Sequence, residues 1–273
     1  MSAPVPSTPM KLAIAGKGGS GKTSITGTMA RLIARDGRRV LAIDSDSNPN
    51  LALTLGLSAA QMRAISPLAA DLLRRTPTGA LTPHLTRSLD EIRALHAVTG
   101  ADGVELLVMA QPQQADTGCL SHLHATVRSI VYVTGEAEAD VCLLDTDASP
   151  EIFSRAMPQY VDAMLGVVEP YFKSLETGRR IAALARDLGI ERFALVANKI
   201  RDERELELVR SFANRHGLEL GGTVPFDKGF RVAEQAGRAP LDFFAPDAPS
   251  ILAIDEIAHR WASAAGRGAA VTG

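Results

Sequence analysis

The sequence predicts an α/β fold with a mostly parallel central sheet flanked by helices. Two patterns carry that prediction: seven short apolar runs of strand length, and helical periods lying between them. Strands alternating with helices pair through right-handed crossovers, which gathers the loops after the strands on one rim. A ligand site is expected on that rim.

The runs are Lys11 to Ala15, Val40 to Ile43, Val104 to Met109, Val141 to Leu144, Ala163 to Val168, Arg192 to Ala197 and Leu218 to Val224. After the first run, Ile25, Met29, Leu32 and Ile33 fall on one helix face, and after the fifth Leu175, Ile181, Leu184 and Leu188 do the same. A helix is expected to start near Ser121, and a last one, Ile251 to Ala264, carries Ile254, Ile257 and Trp261 on the face that packs against the sheet. Residues 58–103 are rich in Ala, Leu and Arg and broken by Pro67, Pro77 and Pro83, which reads as a helical insertion rather than more sheet. Residues 1–9 and 265–273 lack an apolar period and are expected to be mobile, leaving 10–264 as a single domain.

Composition narrows the functional classes. A formal net charge of -2 and a pI near 6.3 give no electrostatic argument for a nucleic-acid partner or an acidic membrane surface. Two cysteines, Cys119 and Cys142, are too few for a disulfide framework, and no apolar stretch is long enough for a signal peptide or a membrane span. The expected setting is the cytoplasm, without nucleic acid and without membrane.

The chemistry is concentrated after the first strand, in Gly16-Lys17-Gly18-Gly19-Ser20-Gly21-Lys22-Thr23, followed by Ser24. This is the GxxxxGK[ST] pattern of a P-loop. Gly16, Gly18, Gly19 and Gly21 let successive N–H groups turn inward around phosphate oxygens, and the next helix aims its positive end at the same anion. Lys22 is placed to pair with the β and γ phosphates and Thr23 to give a hydroxyl to Mg²⁺. ATP or ADP with Mg²⁺ is the expected ligand.

Three further strand ends carry polar residues. Asp44-Ser45-Asp46-Ser47-Asn48-Pro49-Asn50-Leu51 sets two carboxylates one residue apart. Asp46 suits the holding of a water in line with a phosphate, and Asp46 or Ser47 equally suits a helix cap. Leu143-Leu144-Asp145-Thr146-Asp147 runs an apolar strand into an aspartate, the Walker B pattern, in which Asp145 holds Mg²⁺ through water. Asn198, before Lys199, offers a donor and an acceptor to a base edge, or caps the strand end.

The second lysine inside the loop, Lys17, resembles the deviant Walker A type of P-loop NTPase, whose members include MinD, ParA and the nitrogenase iron protein. That resemblance implies that Lys17 reaches across a dimer interface to the partner's nucleotide. A lysine there cannot easily fold onto its own γ phosphate where Lys22 already stands. It further implies that Asp44 orders the metal shell, that Asp46 orients the attacking water, and that Asn198 and Pro225-Phe226-Asp227 contact adenine. Lys17, Lys22 and Asp46 are thus the catalytic candidates. Relatives commonly have glycine where Ser149 stands before Pro150, a departure that bears on the rate of hydrolysis.

More of the chain resembles the CooC-type ATPases, which help load nickel into carbon monoxide dehydrogenase. The matching stretches are Asp46 to Leu51 with Leu55-Gly56, Val168-Glu169-Pro170 with Ser174-Leu175-Glu176-Thr177, Asn198-Lys199, and Val224-Pro225-Phe226-Asp227. The resemblance implies a Mg²⁺-dependent ATPase that homodimerises with ATP and assists maturation of a client metalloenzyme. Two other outputs stand beside it: a ParA- or MinD-like partitioning or positioning ATPase, and a nucleotide-binding adaptor with weak hydrolysis.

CooC-type proteins usually hold one metal ion at the dimer axis through a Cys-x-Cys pair, where this chain has Cys119-Leu120-Ser121. His122 and His124 follow at once. Either the three residues rebuild a mixed sulfur and nitrogen site for Ni²⁺ or Zn²⁺ across the two-fold axis, or the site is lost and Cys119 is a small buried residue.

Overall fold

The apolar runs pair as expected. A computed structural model describes residues 10–46, 48–68, 70–77, 81–110, 121–134, 139–146 and 161–262. In chain order the first half comprises β1 (Met10–Gly16), α1 (Lys22–Arg35), β2 (Val40–Asp44), α2 (Leu51–Thr54), α3 (Ala59–Arg63), β3 (Leu73–Arg75), β4 (Leu81–Leu85), α4 (Leu89–His96), β5 (Val98–Thr99) and β6 (Glu105–Val108). The second half comprises α5 (Ser121–Val133), β7 (Val141–Asp145), β8 (Ala163–Val168), α6 (Phe172–Asp187), β9 (Phe193–Ile200), α7 (Glu203–Arg215), β10 (Glu219–Pro225), α8 (Gly229–Gln235) and α9 (Pro249–Ala262).

The central sheet has the order β10-β9-β8-β1-β7-β2-β6-β5. All its pairings are parallel except that of β5, which runs antiparallel to β6 at the edge. Because side chains alternate across a strand, Leu12 and Ile14 face one layer and Ala13 and Ala15 the other. The first layer is closed by Ile25, Met29 and Ile33 of α1 with Ile254, Ile257 and Trp261 of α9; the second by Val127 and Ile130 of α5 with Ile181 and Ala185 of α6. Burying each of these larger side chains contributes about 1.5–3 kcal/mol. Cys142 lies in the core, where burial pushes its thiol up to about 12.

The segment 58–103 is the correction. It holds α3 and α4, but also the antiparallel β3–β4 pair and β5, so it is a mixed insertion and not a helical one. Its two helices start on capping boxes, Ser58 with Gln61 and Ser88 with Glu91, which satisfy the first-turn N–H groups locally. Among the described residues no helix is long and apolar enough to cross a membrane. Residues 1–9 and 265–273 lie outside the described residues.

The close seating of α9 depends on two glycines of β10. Trp261 donates its indole N–H to Gly221 O at 3.0 Å, and the side chain of Ile257 occupies the space a Cβ on Gly222 would need. Gly222→Val is therefore expected to force α9 off the sheet and cost about 1–3 kcal/mol, read as a lowered Tm. An unchanged Tm would mean that α9 has room to shift without loss.

Candidate functional site

The register of the parallel strands brings the polar strand ends together. Asp44 and Ile14 both pair with Asp145, and Gly16 pairs with Val167 of β8, so the ends of β2, β7, β1 and β8 lie side by side. Here the chain after β1 turns through the glycine loop into α1. Ser20 N–H donates to Lys17 O at 2.9 Å to close the turn, and Gly19 and Gly21 have φ of 80° and 93°. At Gly21 a side chain is excluded twice, by this left-handed backbone and by the Asn198 amide standing where a Cβ would go.

Gly21 also caps α1 without any side-chain hydrogen bond, and no acidic residue lies in the first turn. The opening N–H groups of a fourteen-residue helix are thus left for a ligand, and an anion suits them. Lys22 is nearly buried, and its Nζ donates to Asp46 Oδ2 at 2.8 Å. Asp46 Oδ1 accepts from Asn48 N–H at 2.9 Å. Two residues placed in separate roles by their motifs are here ion-paired with each other.

Beneath this pair lie two fully buried carboxylates. Asp44 accepts from the N–H of Asp46 at 3.2 Å and of Leu51 at 2.9 Å, so it braces the turn into α2. Asp145 Oδ1 accepts a long 3.4 Å bond from Thr26, while its Oδ2 is buried without a hydrogen-bond partner. Burial raises the pKa of both; the charge of Asp44 raises Asp145 further and that of Asp46 raises both, whereas the Leu51 and Asp46 N–H groups act the opposite way on Asp44, and Lys22 and the Thr23 hydroxyl do so on Asp145. An orphaned carboxylate oxygen beside a threonine hydroxyl is an oxygen donor set suited to a hard divalent cation.

The loop opens into a cleft of about 930 Å³. It is lined by Gly18, Gly19, Gly21, Lys22, Thr23 and Ser24 from the loop and α1, with Asp46 and Asn198 beside them. Its far wall is Pro225, Phe226 and Asp227 after β10. Phe226 is half exposed, with the Arg201 guanidinium 4.6 Å from its ring centroid, so it offers a flat stacking surface. Asp227 accepts from Gly229 N–H at 2.8 Å and from Ser250 at 3.2 Å, which ties the wall to α8 and α9.

Asn198 has a further task. Its amide N–H donates to Ser20 O at 2.7 Å and its oxygen accepts from Lys199 N–H at 2.9 Å, so it braces the glycine loop, and any base contact falls to its remaining N–H and lone pair. Gly16 and Ser20 are buried behind the cradle and do not line the cleft. Motif reading assigns no site role to Glu169, Lys199, Arg201 or Arg231, which also line it.

A profile of the CobQ/CobB/MinD/ParA nucleotide-binding domain matches residues 11–241. The chain belongs to this family. It is 35% identical over 239 residues to the carbon monoxide dehydrogenase accessory protein CooC of Rhodospirillum rubrum, covering 85% of this chain and 90% of that protein. It is 34% identical over 242 residues to an uncharacterised ATP-binding protein of Methanocaldococcus jannaschii, covering 84% and 90%. The septum site-determining protein MinD of Pyrococcus horikoshii, solved with Mg-ADP, superposes with a TM-score of 0.70 at 18% identity, over 96% of this chain and all of that one. A ParA family ATPase of Chlorobium tepidum gives 0.70 at 16%, over 93% and 99%. These two likenesses speak for the fold alone: a mostly parallel sheet flanked by helices.

The second candidate site lies largely outside the described residues. Cys119, Asp147, Ser149 and Pro150 lie outside the described residues, as does the side chain of His122. His124 sits half-buried in the first turns of α5. Among the described residues no group of three or more His, Cys, Asp and Glu side chains is arranged to hold a metal ion.

Proposed function

We propose that this chain is a Mg²⁺-dependent ATP hydrolase that pairs two copies through bound ATP and assists maturation of a client metalloenzyme. The observation that carries the nucleotide reading is the uncapped start of α1 facing a large cleft, with Lys22 held there by Asp46. The identity to CooC over most of both chains supports the maturation output. Thr23 and Asp145 would hold the Mg²⁺, with Asp44 ordering the metal shell behind them; the ion would neutralise phosphate charge and add to the positive charge that Lys22 brings to Asp145.

The Lys22–Asp46 pair defines what this chain's own residues do. A phosphate arriving at the loop would compete with Asp46 for Lys22, with the uncapped N–H groups at the start of α1 adding to its side of the exchange. Asp46, released, would then be free to orient a water. Asp46→Asn removes the competitor as well as the water-holder. It is expected to lower ATP turnover about 100-fold while leaving MgADP binding unchanged or tighter, measured by phosphate release and nucleotide titration. Loss of ADP binding together with turnover would refute this assignment and make Asp46 a part of the cradle.

The pairing and the client are tested by mass in solution with ADP and with a slowly hydrolysed ATP analogue, with metal content read on the same fractions. An ATP-dependent dimer supports the switch, and Ni²⁺ or Zn²⁺ lost with Cys119→Ala supports a metal point at Cys119, His122 and His124. The membrane-positioning alternative is disfavoured by α9, whose Ile254, Ile257 and Trp261 are buried against the sheet.

A further inference from the structure

Lys199 and Asp102 are the described non-glycine residues with positive φ, at 61° and 58°. A lysine takes up that strained conformation only where its surroundings hold it there. Lys199 Nζ donates to Gly19 O at 2.5 Å and to Glu169 Oε1 at 2.8 Å. The other oxygen, Glu169 Oε2, accepts from the Tyr171 hydroxyl at 2.8 Å. That hydroxyl in turn accepts from Lys17 Nζ at 3.3 Å, and the same ammonium stands 5.2 Å from the centroid of the Tyr171 ring.

One carboxylate, only 14% exposed, therefore links both sides of the glycine turn, Gly19 through Lys199 and Lys17 through Tyr171. None of these four side chains belongs to the apolar core. We propose that Glu169 and Tyr171 are positioning residues of the phosphate loop, which hold Lys17 in cis on its own subunit until the nucleotide of a second copy draws it away. This rests on the reading that Lys17 acts in trans.

The chemistry suits a hold that can be released. A lysine on a phenol face and hydroxyl is bound by a cation–π contact and a single long hydrogen bond, whereas a phosphate oxygen offers a full negative charge. Lys17 thus moves from the weaker acceptor to the stronger one when ATP is presented across a dimer. Tyr171 is partly exposed and Phe172 beside it is 75% exposed, so the docked lysine lies at the surface, open to a second copy.

The test uses the full chain with ¹³C-labelled tyrosine. The chain has three tyrosines, Tyr132, Tyr160 and Tyr171, and Tyr171→Phe identifies the resonance that matters. Lys17→Ala and Glu169→Gln are each expected to shift the Tyr171 Cζ signal in the nucleotide-free protein. A slowly hydrolysed ATP analogue should move it toward its Lys17→Ala position, and ADP should not. Tyr171→Phe, which loses the hydroxyl and keeps the ring, is expected to tighten the analogue-bound dimer about 3- to 10-fold in sedimentation, as for the loss of one competing hydrogen bond. A Tyr171 signal indifferent to Lys17→Ala in a chain that still pairs with the analogue overturns the cis hold alone. A Tyr171→Phe dimer no tighter than the wild type overturns the restraint. A chain in which the two residues are coupled but never pairs overturns the trans reading, and the release step with it.

Discussion

Lys22→Ala is expected to weaken MgADP binding about 100-fold or more and to abolish ATP turnover, measured by titration of a fluorescent ADP and by phosphate release. The magnitude follows from charge-assisted hydrogen bonds to phosphate, worth about 1.5–3 kcal/mol each, at about 1.4 kcal/mol per factor of ten. Lys22 is placed for this by the turn at Gly21, which starts α1 at the edge of the cleft and leaves its opening N–H groups beside the ammonium.

The same substitution has a second consequence. Lys22 lowers the pKa of buried Asp145, which burial and Asp44 raise, and it pairs with Asp46. Without the lysine, Asp44, Asp46 and Asp145 stand together without that cation. A loss of thermal stability in the nucleotide-free protein should therefore accompany the loss of binding. Lys22→Arg keeps the charge with a different reach, so it should retain more stability than affinity. Equal ADP affinity in Lys22→Ala and wild type would remove Lys22 from the phosphate site.

Much of this site is legible in the sequence because it is local. The glycine loop, Lys22 and Thr23 are contiguous, and the ends of β2, β7 and β10 announce themselves where apolar runs meet Asp44, Asp145 and Pro225. The parallel sheet is legible for the same reason, since strands buried on both faces leave unbroken apolar runs. The pair β3–β4 is not, because β4 contains Pro83 and β3 ends on Arg74-Arg75, neither of which looks like a strand in isolation. β5 is only two residues long. The links among Lys17, Gly19, Tyr171, Glu169 and Lys199 span up to 180 residues and depend on one left-handed lysine. Residue types cannot announce such an arrangement; only the strand order β9-β8-β1 brings it together.

Outside the cleft, motif reading also passed over the buried cation Arg31, and its removal should carry a large cost in stability. Its side chain is 2% exposed on α1, in a helix whose neighbouring positions are apolar. Nε donates to Asp102 at 2.7 Å and Nη2 to Asp242 at 2.7 Å, partners 71 and 211 residues away. Burial works against the charge, and the bonds to Asp242 and Asp102 outweigh it, so the guanidinium pKa lies above its ordinary value. Asp102 is itself held at φ 58°, and it also accepts from Arg35 at 3.1 Å, so the pair fastens the turn before β6 onto α1. Asp242 brings the segment between α8 and α9 to the same point.

Breaking a fully buried pair by removing one partner costs about 3–5 kcal/mol. Asp242 is 42% exposed and keeps much of its hydration, which lowers the expected cost of Arg31→Met to about 2–4 kcal/mol. In a chain of this size that is a fall in Tm of roughly 5–10 °C, measured by calorimetry. Asp102→Asn should cost less than Arg31→Met, because the amide still accepts from Arg31, and Asp242→Asn least of all. A reversed order would mean that the carboxylates, and not the buried guanidinium, fix the end of α1 to the insertion. Since α1 begins at Gly21 and runs through Lys22 to Arg31 without a break, loosening that end should also weaken ADP binding by a smaller factor than Lys22→Ala does. The helix whose uncapped start lies at the cleft is thus held from behind by Arg31.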